Sequence, residues 1–216
     1  MFIKTKICGI RTPEALDAAI AGGADYIGLV FFAKSPRNIS VADAARLAKA
    51  ARGKAAIVAL VVDADDAQLA DIAQHVRPDF LQLHGHESVA RVDSIKRRAG
   101  ASIIKAIAVE TAADAARSQD FAGVADMILF DAKPPKDAIL PGGNGVAFDW
   151  RALDSVRGKL DFMLSGGLTP DNVTEAIRAT GARAVDVSSG VESAPGVKDA
   201  ELIRRFLHAV KTAKQT

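Results

Sequence analysis

Residues 25–62 read DYIGLVFFAKSPRNISVADAARLAKAARGKAAIVALVV, and this stretch decides the fold. Two short runs rich in Val, Ile and Phe, YIGLVFF and AIVALVV, have the character of buried parallel strands. Between them VADAARLAKAAR carries helical spacing and follows Ser40, a residue suited to capping a helix N-terminus. Strand, helix, strand is the repeating unit of a parallel α/β fold.

The unit recurs in both directions along the chain. Comparable runs are FIKTKIC, FLQLH, IIKAIAV, MILFDA, FMLSGG and AVDVSSG. The strand-like runs begin near Phe2, Asp25, Ala56, Asp79, Ser102, Asp126, Asp161 and Ala184, and most successive starts lie about 23 residues apart. Helical segments fill the gaps: PEALDAAIAGG behind Thr12 and Pro13, DDAQLADIAQHV, ESVARVDSIKRR, a short piece from Thr111 to Ser118, TPDNVTEAIRATG from Thr169 to Gly181, and AELIRRFLHAVKTAK. Eight even strand–helix units without a long linker predict a single (β/α)8 TIM barrel over residues 1–216 rather than an open doubly wound sheet. No sequence repeat beyond the module itself is evident.

Composition narrows the function. Of 216 residues, 49% are hydrophobic and 25% charged, which excludes a disordered or fibrous chain. Lys and Arg number 28 against 26 Asp and Glu, with one Trp and one Tyr. Without a basic cluster or an aromatic platform, nucleic acid is excluded as a partner. Cys8 is the lone cysteine, so an intrachain disulfide and a cysteine-based metal site are both excluded. No apolar run reaches the ~18 residues of a spanning helix, and MFIKTKICGI does not read as a signal peptide. A cytoplasmic protein without membrane association is the expectation. Monomer and homodimer both fit the sequence.

Chemistry in a parallel barrel sits at the C-terminal ends of the strands. The first strand ends at Cys8, and alternation places Lys4, Lys6 and Cys8 on one face. Cys8 is then expected to point into the mouth, with Lys6 below it favouring the thiolate; the plainer alternative is a small buried hydrophobe. The sixth strand ends at Asp131, where burial is expected to raise a carboxyl pKa as a general acid requires. Its plainer alternative is a helix cap or a salt bridge with Lys133. Strand seven ends in Ser165-Gly166-Gly167 and strand eight in Ser188-Ser189-Gly190, a pair of small-residue turns where this architecture often binds phosphate. Arg37, in the loop after strand two, offers a fork for a carboxylate, although taken alone a solvated loop arginine is the simpler reading. Gln82 and His84 share one face of strand four, and Asp186 and Ser188 one face of strand eight. Such buried polar groups line a wet site or pair with one another, as Lys6 and Asp186 would across the barrel. His84 and His86 have ligand spacing, with only Glu87 nearby as a third donor, so no metal site is expected. The long segment Pro134 to Phe148, with Gly142-Gly143-Asn144-Gly145, reads as a mobile lid and not as a Walker loop.

These residues also carry a family likeness. KICGI at 6–10, GADYIGLVFFAKSPRNIS at 23–40, LQLHGHE at 81–87, the strand-six aspartate with its glycine-rich loop and FDW at 148–150, SGGLTPDNV at 165–173 and DVSSGVE at 186–192 together resemble phosphoribosylanthranilate isomerase. The likeness runs in order along essentially the whole chain. It implies an aldose–ketose isomerase of tryptophan biosynthesis, which converts N-(5-phosphoribosyl)anthranilate into 1-(2-carboxyphenylamino)-1-deoxyribulose 5-phosphate by an Amadori rearrangement without a cofactor. It implies Cys8 as general base, Asp131 as general acid and Arg37 as holder of the anthranilate carboxylate. Gly166, Gly167, Ser188, Ser189 and Gly190 would then hold the phosphate, with Gln82, His84 and Asp186 completing the substrate site. Asn144 stands where this family more often has threonine, a difference a turn tolerates.

Three alternatives stay in view. An indoleglycerol-phosphate synthase is expected to have a lysine on an early strand and a longer N-terminal extension. A ribulose-phosphate epimerase is expected to carry metal ligands around the mouth. A catalytically inactive phosphosugar-binding barrel would lack one or both of the acid and the base, and here both are present.

Overall fold

The computed structural model describes residues 3–134, 142, 143, 145 and 148–213. Eight parallel strands form a closed barrel in sequence order. They are β1 Lys4–Cys8, β2 Tyr26–Phe31, β3 Ala56–Val61, β4 Phe80–Leu83, β5 Ser102–Val109, β6 Met127–Ala132, β7 Phe162–Leu164 and β8 Ala184–Val187. The barrel closes where β8 pairs with β1, with Lys6 opposite Asp186. Helices follow the strands: α1 Pro13–Ala21, α2 Val41–Ala51, α3 Asp66–His75, α4 Val89–Ala99, α5 Ala112–Ala116, α6 Val173–Thr180 and α7 Ala200–Thr212. The expected barrel is the observed one.

Local chemistry explains the element starts. Thr12 and Ser40 accept backbone N–H bonds from Ala15 and Asp43, and Asp65 and Ser88 cap the next two helices in the same way. Below the barrel a device recurs that the spacing alone did not disclose. Asp25, Asp79 and Asp126 each immediately precede an even strand. Their carboxylates accept from the backbone N–H groups of Thr5, Ile57 and Ile103, respectively, on the odd strand before it. Each ties two neighbouring strands at the end away from the mouth.

Strand alternation separates two cores. Ile7, Ile27, Leu29, Ile57, Leu81 and Phe130 pack outward under the helices. Tyr26, Val58, Ile104, Leu129 and Met163 fill the barrel interior. With the interior packed, the open space lies at the mouth.

Three details depart from expectation, and some expectations fall outside the described residues. TPDNVTEAIRATG does not open its helix at Thr169: α6 starts at Val173, because the Asn172 side chain is turned back onto the Thr169 N–H and the Gly167 carbonyl. Between β6 and β7 the described residues hold a 3-10 turn, Trp150–Leu153, in place of an α-helix. After β8 comes an unanticipated 3-10 turn, Ser189–Val191, then the paired strands β9 Glu192–Ala194 and β10 Val197–Lys198. Phe2, the expected start of the first strand, lies outside the described residues, as do Asn144 and most of the expected lid.

Candidate active site

The strand ends enclose a cleft of about 760 Å³, solvent at its mouth included. Cys8, Arg37, His84, Asp131, Gly166, Gly167, Asp186, Ser188 and Ser189 all line it. Gln82 and Gly190 do not. Gln82 is sealed behind His84, and Gly190 lies so close to the Leu168 carbonyl that any side chain there would collide with it. Val30, Phe32, Leu60 and Val62 add an apolar wall at the ends of β2 and β3.

Cys8 ends β1 and is almost wholly buried. Opposite it on β2 stands Gly28, where an added Cβ would lie 2.9 Å from the Cys8 Sγ and 3.1 Å from the Lys6 Cε. Only glycine leaves room for the thiol and the lysine together. The Lys6 Nζ donates to the Asp186 Oδ1 at 3.0 Å, and the Ser165 Oγ to Oδ2 at 3.3 Å. The expected Lys6–Asp186 pair therefore exists, between neighbouring strands rather than across the barrel. Burial opposes the Lys6 charge, but Asp186 and then Cys8 outweigh it and hold the ammonium above its ordinary pKa. The thiol behaves contrary to expectation. Burial pushes Cys8 upward and Asp186 adds to the rise; Lys6 and Lys198 oppose it, and burial prevails.

Asp131 is the penultimate residue of β6 and is buried. Its Oδ1 accepts the Ala132 N–H at 2.9 Å, and its Oδ2 lies 3.1 Å from the His84 Nε2. It makes no pair with Lys133, which reaches Glu110 instead. The Gln82 Nε2 lies 2.8 Å from the other ring nitrogen of His84, Nδ1. An amide nitrogen can only donate, so this geometry assigns the imidazole proton to Nε2, from which it is donated to Asp131. His86 turns away, 95% exposed beside Asp63, and Glu87 is bound to Lys105 at 2.8 Å. The pair His84 and His86 does not converge, and among the described residues no cluster of metal-ligating side chains forms.

Arg37 is not the solvated loop residue of the simpler reading. It is buried, and its Nε and Nη2 donate to the Glu192 carboxylate at 2.8 and 2.9 Å. Nη2 also donates to the Gly143 carbonyl at 3.2 Å. The Lys198 Nζ reaches the same Glu192 at 2.7 Å and the Ser188 carbonyl at 2.8 Å. Glu192 and Lys198 escaped the sequence reading. Their signal was the Ala194-Pro195-Gly196 turn, which marks a hairpin directly after the phosphate-like turn. Gly142 and Gly143 also press on the site, since a side chain at Gly142 would meet Asp131 and His84, and one at Gly143 would meet the Arg37 guanidinium. Among the described residues, no helix is long and apolar enough to cross a membrane.

Comparison with known proteins identifies the family. The family model for N-(5'-phosphoribosyl)anthranilate isomerase matches residues 5–209. An N-(5'-phosphoribosyl)anthranilate isomerase of Rhodopseudomonas palustris is 57% identical over 215 residues, covering 100% of this chain and 99% of that one. The phosphoribosyl anthranilate isomerase of Thermotoga maritima superposes with a TM-score of 0.88 at 35% identity, covering 98% of this chain and 100% of that one. A phosphoribosyl anthranilate isomerase in complex with reduced 1-(o-carboxyphenylamino)-1-deoxyribulose 5-phosphate superposes at 0.85 with 33% identity, over 98% of this chain and 100% of that one. The family model spans nearly the whole barrel and relatives more than half identical cover all of it, so the chain belongs to the N-(5'-phosphoribosyl)anthranilate isomerase family of enzymes.

Proposed function

We propose that this isomerase of tryptophan biosynthesis converts N-(5'-phosphoribosyl)anthranilate into 1-(2-carboxyphenylamino)-1-deoxyribulose 5-phosphate in the cytoplasm, with Cys8 as general base and Asp131 as general acid. The observation that carries the reading is the shared cleft: a thiol, a carboxyl group, an arginine and two small-residue turns line one cavity. The reduced product bound by a relative has a phosphate at one end and an aryl carboxylate at the other. The turns Ser165–Gly167 and Ser188–Ser189 suit the phosphate. The apolar wall around Phe32 suits the aromatic ring, and Arg37 its carboxylate.

Protonated Asp131 delivers its proton to the furanose ring oxygen as the C1–O bond breaks, and the anilino nitrogen lone pair forms the C=N bond. The His84 N–H and the Ala132 N–H then stabilise the carboxylate left behind. The iminium acidifies the C2 hydrogen, which the Cys8 thiolate removes to give an enolamine. Return of that proton at C1 and loss of the C2 hydroxyl proton to Asp131 yield the ketone and restore both groups. Substrate and product are isomers, so the reaction needs neither oxidant nor reductant. Phosphate binding far from the reacting carbons positions them against the two groups.

The test follows the fluorescence of the substrate, generated in situ from anthranilate, phosphoribosyl pyrophosphate and a transferase. Rapid loss with the wild type and not with Cys8→Ala is the expected result. No loss with folded wild-type protein and fresh substrate would leave an inactive phosphosugar-binding barrel.

A further inference from the structure

The Glu192 carboxylate poses a puzzle for an anion site. It lies against Arg37, the cation assigned to the substrate carboxylate, and both side chains are sealed from solvent. Taken as a pair, the two cancel. The third member resolves this. Lys198, also buried, reaches the same Glu192 oxygen that accepts from the Arg37 Nε. Burial pulls the Lys198 ammonium below its ordinary pKa and Glu192 opposes the fall; with both cations charged on one carboxylate, the cluster keeps one unit of positive charge for a ligand.

The geometry also selects which part of the guanidinium is offered. Glu192 occupies the Nε–Nη2 edge in a two-point grip, and Nη2 is further engaged by the Gly143 carbonyl. Nη1 takes no acceptor among the described residues and is the guanidinium atom nearest to where a Gly143 Cβ would stand. Glu192 is itself anchored by the Gly196 N–H at 3.2 Å, on the turn joining β9 to β10. Lys198 continues the chain of contacts to the Ser188 carbonyl, and the Ser188 hydroxyl donates to the Cys8 carbonyl at 3.2 Å. One run of polar contacts thus connects the carboxylate-binding arginine, the phosphate-side turn and the strand end that bears the thiol.

We propose that Glu192, supported by Lys198, is a specificity-determining positioning residue: it locks the Arg37 fork so that the Nη1 side faces the aryl carboxylate of the substrate. This deepens the reading in which Arg37 holds that carboxylate, and it rests on that reading. A flexible arginine would lose rotamer freedom on each binding event, whereas a clamped one has lost it already. The clamp therefore favours carboxylated over uncarboxylated substrates, and acts on binding more than on the chemical step.

The experiment compares the natural substrate with N-(5-phosphoribosyl)aniline, which lacks the carboxylate, in wild type, Glu192→Gln, Glu192→Asp and Arg37→Ala. Glu192→Gln keeps the shape and removes the charge; Glu192→Asp keeps the charge and withdraws it by one methylene. Both are expected to raise KM for the carboxylated substrate about 10-fold or more while kcat changes less than about 3-fold, with KM for the aniline analogue unmoved. Equal losses on the two substrates, or losses in kcat alone, would overturn the proposal. So would failure of both Glu192 variants to fold, which would assign the pair to stability. Arg37→Ala separates the two levels. If it does not discriminate between the substrates, the carboxylate assignment of Arg37 fails; if it does and the Glu192 variants do not, only the positioning role fails.

Discussion

The His84 Nε2 lies 3.1 Å from the Asp131 Oδ2, and the Gln82 amide holds the opposite face of the ring. The amide contact leaves Nε2 as the ring's donor toward the proposed acid. Asp131→Asn removes the titrating proton and is expected to cost about 10²–10⁴-fold in kcat, the usual span for a positioned acid or base. His84→Asn is expected to cost less, because the carboxyl group remains and only its orientation and its N–H partner are lost. Steady-state kinetics on both variants check the order. A larger loss for His84→Asn than for Asp131→Asn would move the acid to the imidazole.

The raised thiol pKa of Cys8 makes a pH prediction. General base action needs the thiolate, and burial makes the thiolate scarcer at neutral pH than in an ordinary cysteine, whose value is 9.0. The ultraviolet absorbance of the thiolate, with Cys8→Ala as the blank, is therefore expected to appear only as pH rises past that ordinary value. Lys6 and Lys198 limit the rise without reversing it. A pH titration of that difference absorbance reads the thiolate alone, whereas kcat/KM also needs protonated Asp131 and so does not isolate the thiol. A midpoint at or below the ordinary value would show that the charges of Lys6 and Lys198 prevail over burial.

Gly28 faces Cys8 from the adjacent strand, with no space for a methyl group. Gly28→Ala is expected to displace the thiol or the Lys6 side chain and to cost about 1–3 kcal/mol through overpacking. Urea unfolding measures the stability loss, and the fluorescence assay measures the turnover lost with it. Unchanged turnover would mean that the Cys8 position tolerates such a shift.

How much of this was legible depended on where the information lay. The barrel was readable because strand and helix each leave a periodic trace, and eight traces at even spacing admit few folds. Cys8 and Asp131 were readable because each closes an apolar run, and a strand end in this architecture faces the cleft. Glu192 and Lys198 carried no such mark. In the sequence they are charges around a Pro-Gly turn, which usually means solvent; only the hairpin's return over the mouth buries them against Arg37. Gly28 looked like any strand glycine until Cys8 was placed beside it. The direction of the Cys8 shift was misread because neighbouring charges can be listed from a sequence, whereas the competing cost of burial depends on how tightly three dimensions close around the thiol.

The Glu192 carboxylate ties acid stability to the same cluster. Burial raises its pKa, but Arg37 and Lys198 outweigh burial and hold it below the ordinary 4.5. A group depressed in the folded state stabilises the fold fully above its unfolded value and loses that contribution as pH falls through the folded value, because the unfolded chain takes up the proton first. Glu192→Gln removes the titrating group while keeping one acceptor oxygen. It is expected to lower stability at neutral pH by about 1.5–3 kcal/mol, the range for a hydrogen bond to a charged group. The difference from wild type should then shrink as pH falls below 4.5, since acid removes from the wild type the charge that the variant already lacks. Urea unfolding of both proteins from about pH 3 to about pH 6 reads the effect. A difference that stays constant across that window would mean that the shape of Glu192, not its charge, makes its contribution to stability.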